Sequence, residues 1–125
     1  MKELTNISDA ERQVMEVLWG TAPLTAAHIA EQISPKTGWH RKTVNTLLAR
    51  LVKKEALATT PSPGGKLYSP LIKRDDYAGA MAGSMVNRLF GGRVAPLVAH
   101  FAESQSLSER DIDELKDLLR ELSDE

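Results

Sequence analysis

One stretch of the sequence, residues 39–54, combines an apolar stripe with an uninterrupted run of positive charge. Its large apolar residues recur at i, i+3, i+4, i+7 and i+8, the spacing of one face of an α-helix. They are Val44, Leu47, Leu48, Leu51 and Val52. The same stretch carries six basic side chains, counting His40, and no acidic one. A helix of this kind must bury one face and expose another, so the rest of the chain has to supply a core for the stripe.

The face opposite the stripe is basic, polar and in part small. At about 100° per residue it consists of Lys42, Asn45, Thr46, Ala49 and Lys53. A charged face exposed to solvent is the ordinary explanation of such a cluster. Ion pairs within the helix do not account for it, because the first acidic residue comes only at Glu55.

Two further helices are expected before this one. Ser8 and Glu11 form a capping-box pattern at the start of the first helix. Thr25 is placed to cap a second helix over residues 26–33. This second helix should end before Pro35, because the residue before a proline is disfavoured in the α region.

A β-hairpin is expected after the basic helix. Two short strand-forming segments, residues 57–60 and 66–71, flank a turn rich in proline and glycine at residues 61–65. Three helices followed by a hairpin is the order of a winged helix-turn-helix, in which the third helix is the recognition helix. Lys66 then lies at the tip of the wing, beside two glycines, where it can follow a phosphate backbone.

The second half of the chain differs in charge and is expected to form three more helices. Residues 1–74 hold 11 Lys and Arg against six Asp and Glu, whereas residues 75–125 hold five against 11. Three amphipathic helices alone bury little apolar surface, so a second copy is expected to cover them. The predicted dimerisation residues are Met81, Met85, Leu89, Leu97, Phe101, Ile112, Leu115, Leu119 and Leu122.

We therefore predict a mostly α-helical chain of two domains. Residues 1–72 form a winged helix-turn-helix of three helices and a β-hairpin, and residues 73–125 form a C-terminal three-helix dimerisation domain. The basic first domain suits a polyanion, and its exposed helix suits the major groove of double-stranded DNA. The predicted DNA-binding residues are Arg41, Lys42, Thr43, Asn45, Thr46, Arg50, Lys53 and Lys66.

These residues are expected to divide their work on DNA. The lysines and arginines, with which Lys54 is grouped, divide between phosphates and bases. Asn45 has the chemistry to pair with adenine, and Thr43 or Thr46 to contact a phosphate or a thymine methyl group. The small Ala49 allows a close approach.

Catalysis and metal binding are not indicated by the sequence. The three histidines are scattered without metal-ligand spacing, there is no cysteine, and no nucleophile, base and acid can be grouped. We expect no enzyme activity, no metal and no cofactor. No apolar run approaches the roughly 18 residues of a membrane span. A cytoplasmic protein without membrane insertion is therefore expected.

The sequence also resembles the penicillinase repressors of the BlaI/MecI type over nearly its whole length. The motifs that carry the resemblance are Ile7–Glu11, Trp39 with Lys42-Thr43-Val44, Arg50–Lys54, Gly65-Lys66, Leu97–Phe101 and Ile112–Leu115. The resemblance implies a homodimeric transcriptional repressor with a palindromic operator, controlling genes for a β-lactamase or a penicillin-binding protein. It also implies a transmembrane sensor metalloprotease as partner and cleavage of the repressor in its dimerisation domain.

The sequence departs from the family pattern at two places. The cleaved bond typically joins Asn to Phe, whereas the matching pair here is His100-Phe101, the candidate cleavage site. A base-facing position often held by Arg or Gln is Asn45 here. The cysteine cluster of the copper-responsive branch is absent, which argues against copper sensing through thiolates. Two alternatives remain: a small-molecule-responsive regulator, and a protein-interaction module, neither controlled by proteolysis.

Overall fold

The computed structural model describes residues 4–124, and within them six α-helices accompany one small antiparallel sheet. A 3-10 turn at Leu4–Asn6 precedes them. The elements are α1 (Asp9–Gly20), β1 (Leu24–Thr25), α2 (Ala26–Thr37), α3 (Arg41–Lys53), β2 (Leu57–Thr60), β3 (Leu67–Pro70), α4 (Arg74–Phe90), α5 (Val94–Glu103) and α6 (Glu109–Ser123). The predicted order of three helices, a hairpin and three helices is confirmed. No helix of this part of the chain is long and apolar enough to cross a membrane.

The start of α1 is fixed by the predicted capping box. The Glu11 N–H donates to Ser8 Oγ at 3.1 Å, and the Ser8 N–H donates to Glu11 Oε1 at 2.8 Å. Two backbone N–H groups at the N-terminus, which the helix itself cannot satisfy, are thereby paired. The helix then buries Val14, Met15 and Leu18 in the core.

The predicted end of α2 was wrong, since the helix continues through Pro35 to Thr37. Proline lacks only one N–H donor, and the last turn is held by other bonds: the Thr37 hydroxyl donates to the Ile33 carbonyl at 3.0 Å. Gly38 then adopts the left-handed conformation (φ 74°), and its N–H donates to the Ser34 carbonyl at 2.8 Å. These contacts outweigh the conformational preference that Pro35 imposes on its predecessor.

The sheet contains the predicted hairpin and one additional strand. Strands β2 and β3 pair antiparallel, from Leu57 opposite Pro70 to Thr60 opposite Leu67. Strand β1 pairs with the other edge of β3, so that the order is β1-β3-β2. Two residues are too few to show an alternating pattern, which explains why the sequence did not reveal β1. Its pairing ties the start of α2 to the wing.

The core of the first part of the chain is built around the stripe of α3. Val44, Leu47, Leu48 and Leu51 are buried, and Val52 is half-buried against them, as the helical spacing predicted. They pack with apolar side chains of α1, α2 and the wing. This set includes Val14, Met15, Leu18, Ile29, Ile33 and Leu57.

The first turns of α4 belong to the same core. Tyr77 is buried, with its ring 5.5 Å from that of Trp19, and Met81 packs on the cluster at its margin. The Trp19 Nε1–H donates to the Ile72 carbonyl at 2.9 Å. Accordingly, one compact unit extends to Ala82 and a second begins at Gly83. The division into domains at residues 72 and 73 stays a prediction.

The second unit consists of the end of α4 with α5 and α6. Ser108 and Asp111 form a capping box at the start of α6, and Pro96 lies in the first turn of α5, where it costs no helical bond. Large apolar side chains remain exposed here: Leu89 is 70% exposed, Leu119 63% and Leu122 68%. A unit with so much apolar surface in solvent is typical of one that associates with a partner.

Candidate nucleic-acid interface

The structure places the predicted DNA-binding residues of α3 on its solvent side. With the stripe buried, the polar face opposite it is left exposed. The exposed predicted residues are Arg41, Lys42, Thr43, Asn45, Thr46, Arg50 and Lys53, and Ala49 is exposed among them. The same helical periodicity therefore buries the apolar stripe of α3 and exposes its polar face.

The N-terminus of α3 concentrates positive charge where a helix tolerates it least. Its first two residues are Arg41 and Lys42, no acidic residue lies in its first turn, and its N-cap His40 makes no side-chain cap hydrogen bond. The helix dipole is positive at this end, and the first N–H groups have no helical acceptors. Such an end is suited to bind an anion.

The basic side chains of this surface lack acidic partners. Within residues 4–124, no ion pair is formed by Arg41, Lys42, Arg50, Lys53 or Lys66. Elsewhere the chain does pair its arginines: Arg12 lies 3.0 Å from Asp9, and Arg74 lies 2.7 Å from Glu16. The positive charge of the α3 surface is thus left for an external partner.

The wing brings Lys66 towards the start of α3. Lys66 and Arg41 line one shallow cavity of about 200 Å³, together with Tyr68 and the first residues of α2. Gly65 has a φ of 114°, a backbone conformation that residues with a Cβ rarely adopt, so glycine is required at this turn. The turn is closed by the Gly65 N–H, which donates to the Ser62 carbonyl at 3.1 Å.

Two polar side chains of the exposed face differ in whether they already form a hydrogen bond within the protein. The Thr46 hydroxyl donates to the Lys42 carbonyl within the helix at 3.0 Å. The Asn45 amide makes no hydrogen bond to any other residue of the described range, and its donor and acceptor are both available. Of the two, Asn45 is better placed to read a base edge.

Comparison with known proteins shows which family the chain is related to. Residues 7–121 match the family model described as penicillinase repressor. The chain belongs to the penicillinase repressor family. Its members are transcriptional repressors rather than enzymes, so the expected absence of catalysis follows from the family. The resemblance recognised from the motifs is confirmed.

Individual relatives cover most of the chain. The penicillinase repressor of Bacillus licheniformis is 35% identical over 121 residues, which span 97% of this chain and 94% of the relative. The penicillinase repressor of Staphylococcus aureus is 37% identical over 117 residues, which span 94% and 93%. A solution structure of monomeric Bacillus licheniformis BlaI with the blaP half-operator matches at a TM-score of 0.54 and 36% identity, over 62% of this chain and 94% of that one.

In this member of the penicillinase repressor family, Lys54 stands apart from the other basic residues of the stretch. Its Nζ donates to Glu11 Oε1 at 2.6 Å and to the Asn6 carbonyl at 2.7 Å. The sequence did not reveal this pair, because the partner lies 43 residues earlier. The interpretation that grouped Lys54 with the DNA-facing cations missed this pair.

The residues predicted for dimerisation and cleavage lie mostly in the second unit. Met81, by contrast, packs on the core of the first unit. Met85, Leu97 and Leu115 are half-buried, whereas Leu89, Phe101, Ile112, Leu119 and Leu122 are exposed. His100 and Phe101 are both exposed within α5, and the His100 ring meets the Phe90 ring edge-on at 5.6 Å.

The Glu11–Lys54 pair predicts a dependence of stability on pH. Burial alone would raise the pKa of the Glu11 carboxyl, but the hydrogen bonds from Lys54 and Ser8 and the charge of Lys54 lower it below its ordinary value of 4.5. The stabilisation is therefore present above pH 4.5 and is lost as the pH falls through the folded-state pKa. In urea unfolding from pH 7 to pH 3, the wild type should lose more stability than Glu11→Gln. Glu31→Gln, at an exposed site, should follow the wild type, and parallel profiles for all three proteins would refute this role of Glu11.

The charge at the start of α3 predicts a trade between stability and binding. Lys42→Glu should stabilise the fold by about 0.3–1 kcal/mol, because an acidic residue suits a helix N-terminus, and should weaken DNA binding. Lys36→Glu is the matched control, since Lys36 lies in the last turn of α2, where the same change should destabilise. Thermal unfolding and gel shifts of both variants test this, and a lower Tm for Lys42→Glu would contradict it.

Proposed function

We propose that this protein is a dimeric repressor that binds a palindromic operator through α3 and controls β-lactamase or related resistance genes. The observation that carries the proposal is the exposed face of α3, basic and without ion-pair partners in the described chain. Support comes from the relative whose structure contains a half-operator at 36% identity. A repressor that binds operator DNA would act in the cytoplasm, where that DNA is found.

The proposed mechanism separates affinity from specificity. Arg41 and Lys66, which line one cavity between the start of the helix and the wing, would neutralise phosphates and fix the register of α3. Asn45 would read a base edge from the centre of the exposed face, and Ala49 would let the helix approach. The operator is expected to differ from that of relatives with a longer side chain at position 45.

A gel-shift series on the duplex upstream of the protein's own gene tests DNA binding. If about 6–10 phosphates are neutralised, the affinity should fall roughly 10³–10⁵-fold between 50 and 200 mM salt. Asn45→Ala should keep that salt dependence and relax the preference at one base pair, by roughly 5-fold or more. An affinity that does not respond to salt, or no preference over unrelated DNA, would reject the repressor proposal.

Dimerisation is proposed through the apolar surface of the second unit. Exposed leucines of α6 stand beside an apolar cavity of about 280 Å³ between α5 and α6, lined mainly by Leu97, Val98, Phe101 and Leu115. A second copy would cover this surface. Two recognition helices would then reach half-sites about one DNA turn apart, ~34 Å.

Light scattering at micromolar concentration tests the dimer. The wild type should have twice the chain mass of 13.7 kDa. Leu119→Asp should shift it to the monomer, because a carboxylate would be buried without a partner. Lys116→Asp, at an exposed position of α6, is the control and should stay dimeric. A wild type that remains at the chain mass would disprove the proposal.

We propose that repression is relieved when a transmembrane sensor metalloprotease leads to cleavage of the bond between His100 and Phe101. The bond lies within α5, where the His100 carbonyl accepts from the Ser104 N–H at 3.1 Å, so α5 must unwind before a protease can bind it. Repressor incubated with membranes of induced cells should yield a fragment that begins at Phe101. An intact chain that leaves DNA when a small molecule is added would favour the ligand-responsive alternative.

A further inference from the structure

The ion pair between Glu11 and Lys54 joins the start of α1 to the end of α3. Glu11 belongs to the first turn of α1 and is only 1% exposed, while Lys54 is the C-cap of α3 and is 29% exposed. One oxygen, Glu11 Oε1, accepts from both Lys54 Nζ and the Ser8 N–H. The end of α3 is therefore bound to the capping box of α1.

We propose that Lys54 positions the recognition helix through Glu11 and does not contact DNA phosphate. This inference rests on the proposed function, since it concerns how α3 meets an operator. If Lys54 turned to a phosphate, Glu11 would remain as a buried carboxylate without its cation, which proteins avoid. Lys54 thus differs from its neighbour Lys53, which is exposed and makes no ion pair within the described residues.

This tether, the contact between Lys54 and Glu11, holds the C-terminal end of α3, next to the fully buried Leu51. The stripe fixes how α3 is rotated about its axis, and the ion pair between Lys54 and Glu11 further constrains the tilt of that axis. The N-terminal end has no side-chain cap. A helix of 13 residues is about 20 Å long, so a tilt of about 3° displaces one end by about 1 Å relative to the other.

A displacement of this size affects specific and non-specific binding differently. Hydrogen bonds to base edges require donor and acceptor to meet within a few tenths of an ångström, whereas neutralisation of phosphates depends mainly on charge. Loss of the tether should therefore lower the preference for operator over unrelated DNA. It should leave the number of phosphates neutralised unchanged.

The experiment compares binding to the upstream duplex and to unrelated duplex DNA of the same length, over a range of salt. All proteins are measured at a temperature where circular dichroism shows them folded. Lys53→Met, the matched control, should weaken binding to both duplexes and reduce the salt slope by about 0.9. Lys54→Met should keep the slope and lower the operator preference roughly tenfold, the size of one mismatched base pair. Lys54→Arg, which retains the cation, should restore the preference.

A second variant keeps the test decisive if Lys54→Met does not fold. The double variant Glu11→Gln/Lys54→Met leaves no buried charge unpaired, and the amide oxygen can still accept from the Ser8 N–H. It should reproduce the unchanged slope and the lowered preference. A slope that falls as in Lys53→Met would make Lys54 a phosphate contact, and an unchanged preference would make the pair only structural. A wild type without preference would instead overturn the proposed function.

Discussion

The burial of the α3 stripe is the constraint on which the rest of the structure depends. Val44, Leu48 and Leu51 are fully enclosed by α1, α2 and the wing, and this fixes which side of the helix meets solvent. The periodicity of 3.6 residues then determines that the polar side chains between them point outward together. The core and the candidate interface are thus two consequences of one pattern. A change of register in α3 would bury Asn45 and expose leucine at the same time.

Much of this arrangement could be predicted because it depends on local patterns. The capping box of Ser8 and Glu11, the stripe and the glycine turn of the wing each lie within one short segment, and each formed as expected. The features that were missed depend on contacts between distant segments. Strand β1 exists through its pairing with β3, and Lys54 finds its carboxylate 43 residues away. Pro35 lies inside a helix because neighbouring bonds, and not its own preference, decide the outcome.

The charges of the first unit show how stability and binding are separated in one small fold. Glu11 and Lys54, buried or half-buried, satisfy each other and join α1 to α3. The outward-facing cations are left without partners, and two of them stand at the positive end of a helix dipole. A sequence selected for stability alone would place acidic residues there. The exposed surface of α3 departs from the charge preference of a helix N-terminus, whereas the core beneath it keeps its charges paired. This difference is expected of a functional site.

The second unit differs from the first, because it exposes large apolar side chains and has a net negative charge. Helix α6 is well capped by Ser108 and Asp111, so its exposed leucines do not reflect poorly formed secondary structure. Residues 75–125, which include the whole second unit, carry a net negative charge, so this surface is unsuited to DNA. Its apolar positions recur along α6 at Ile112, Leu115, Leu119 and Leu122, a seam that another helix can match. The charge of the first unit thus suits a polyanion, and the proposed dimerisation through the second unit would bring two basic faces to one duplex.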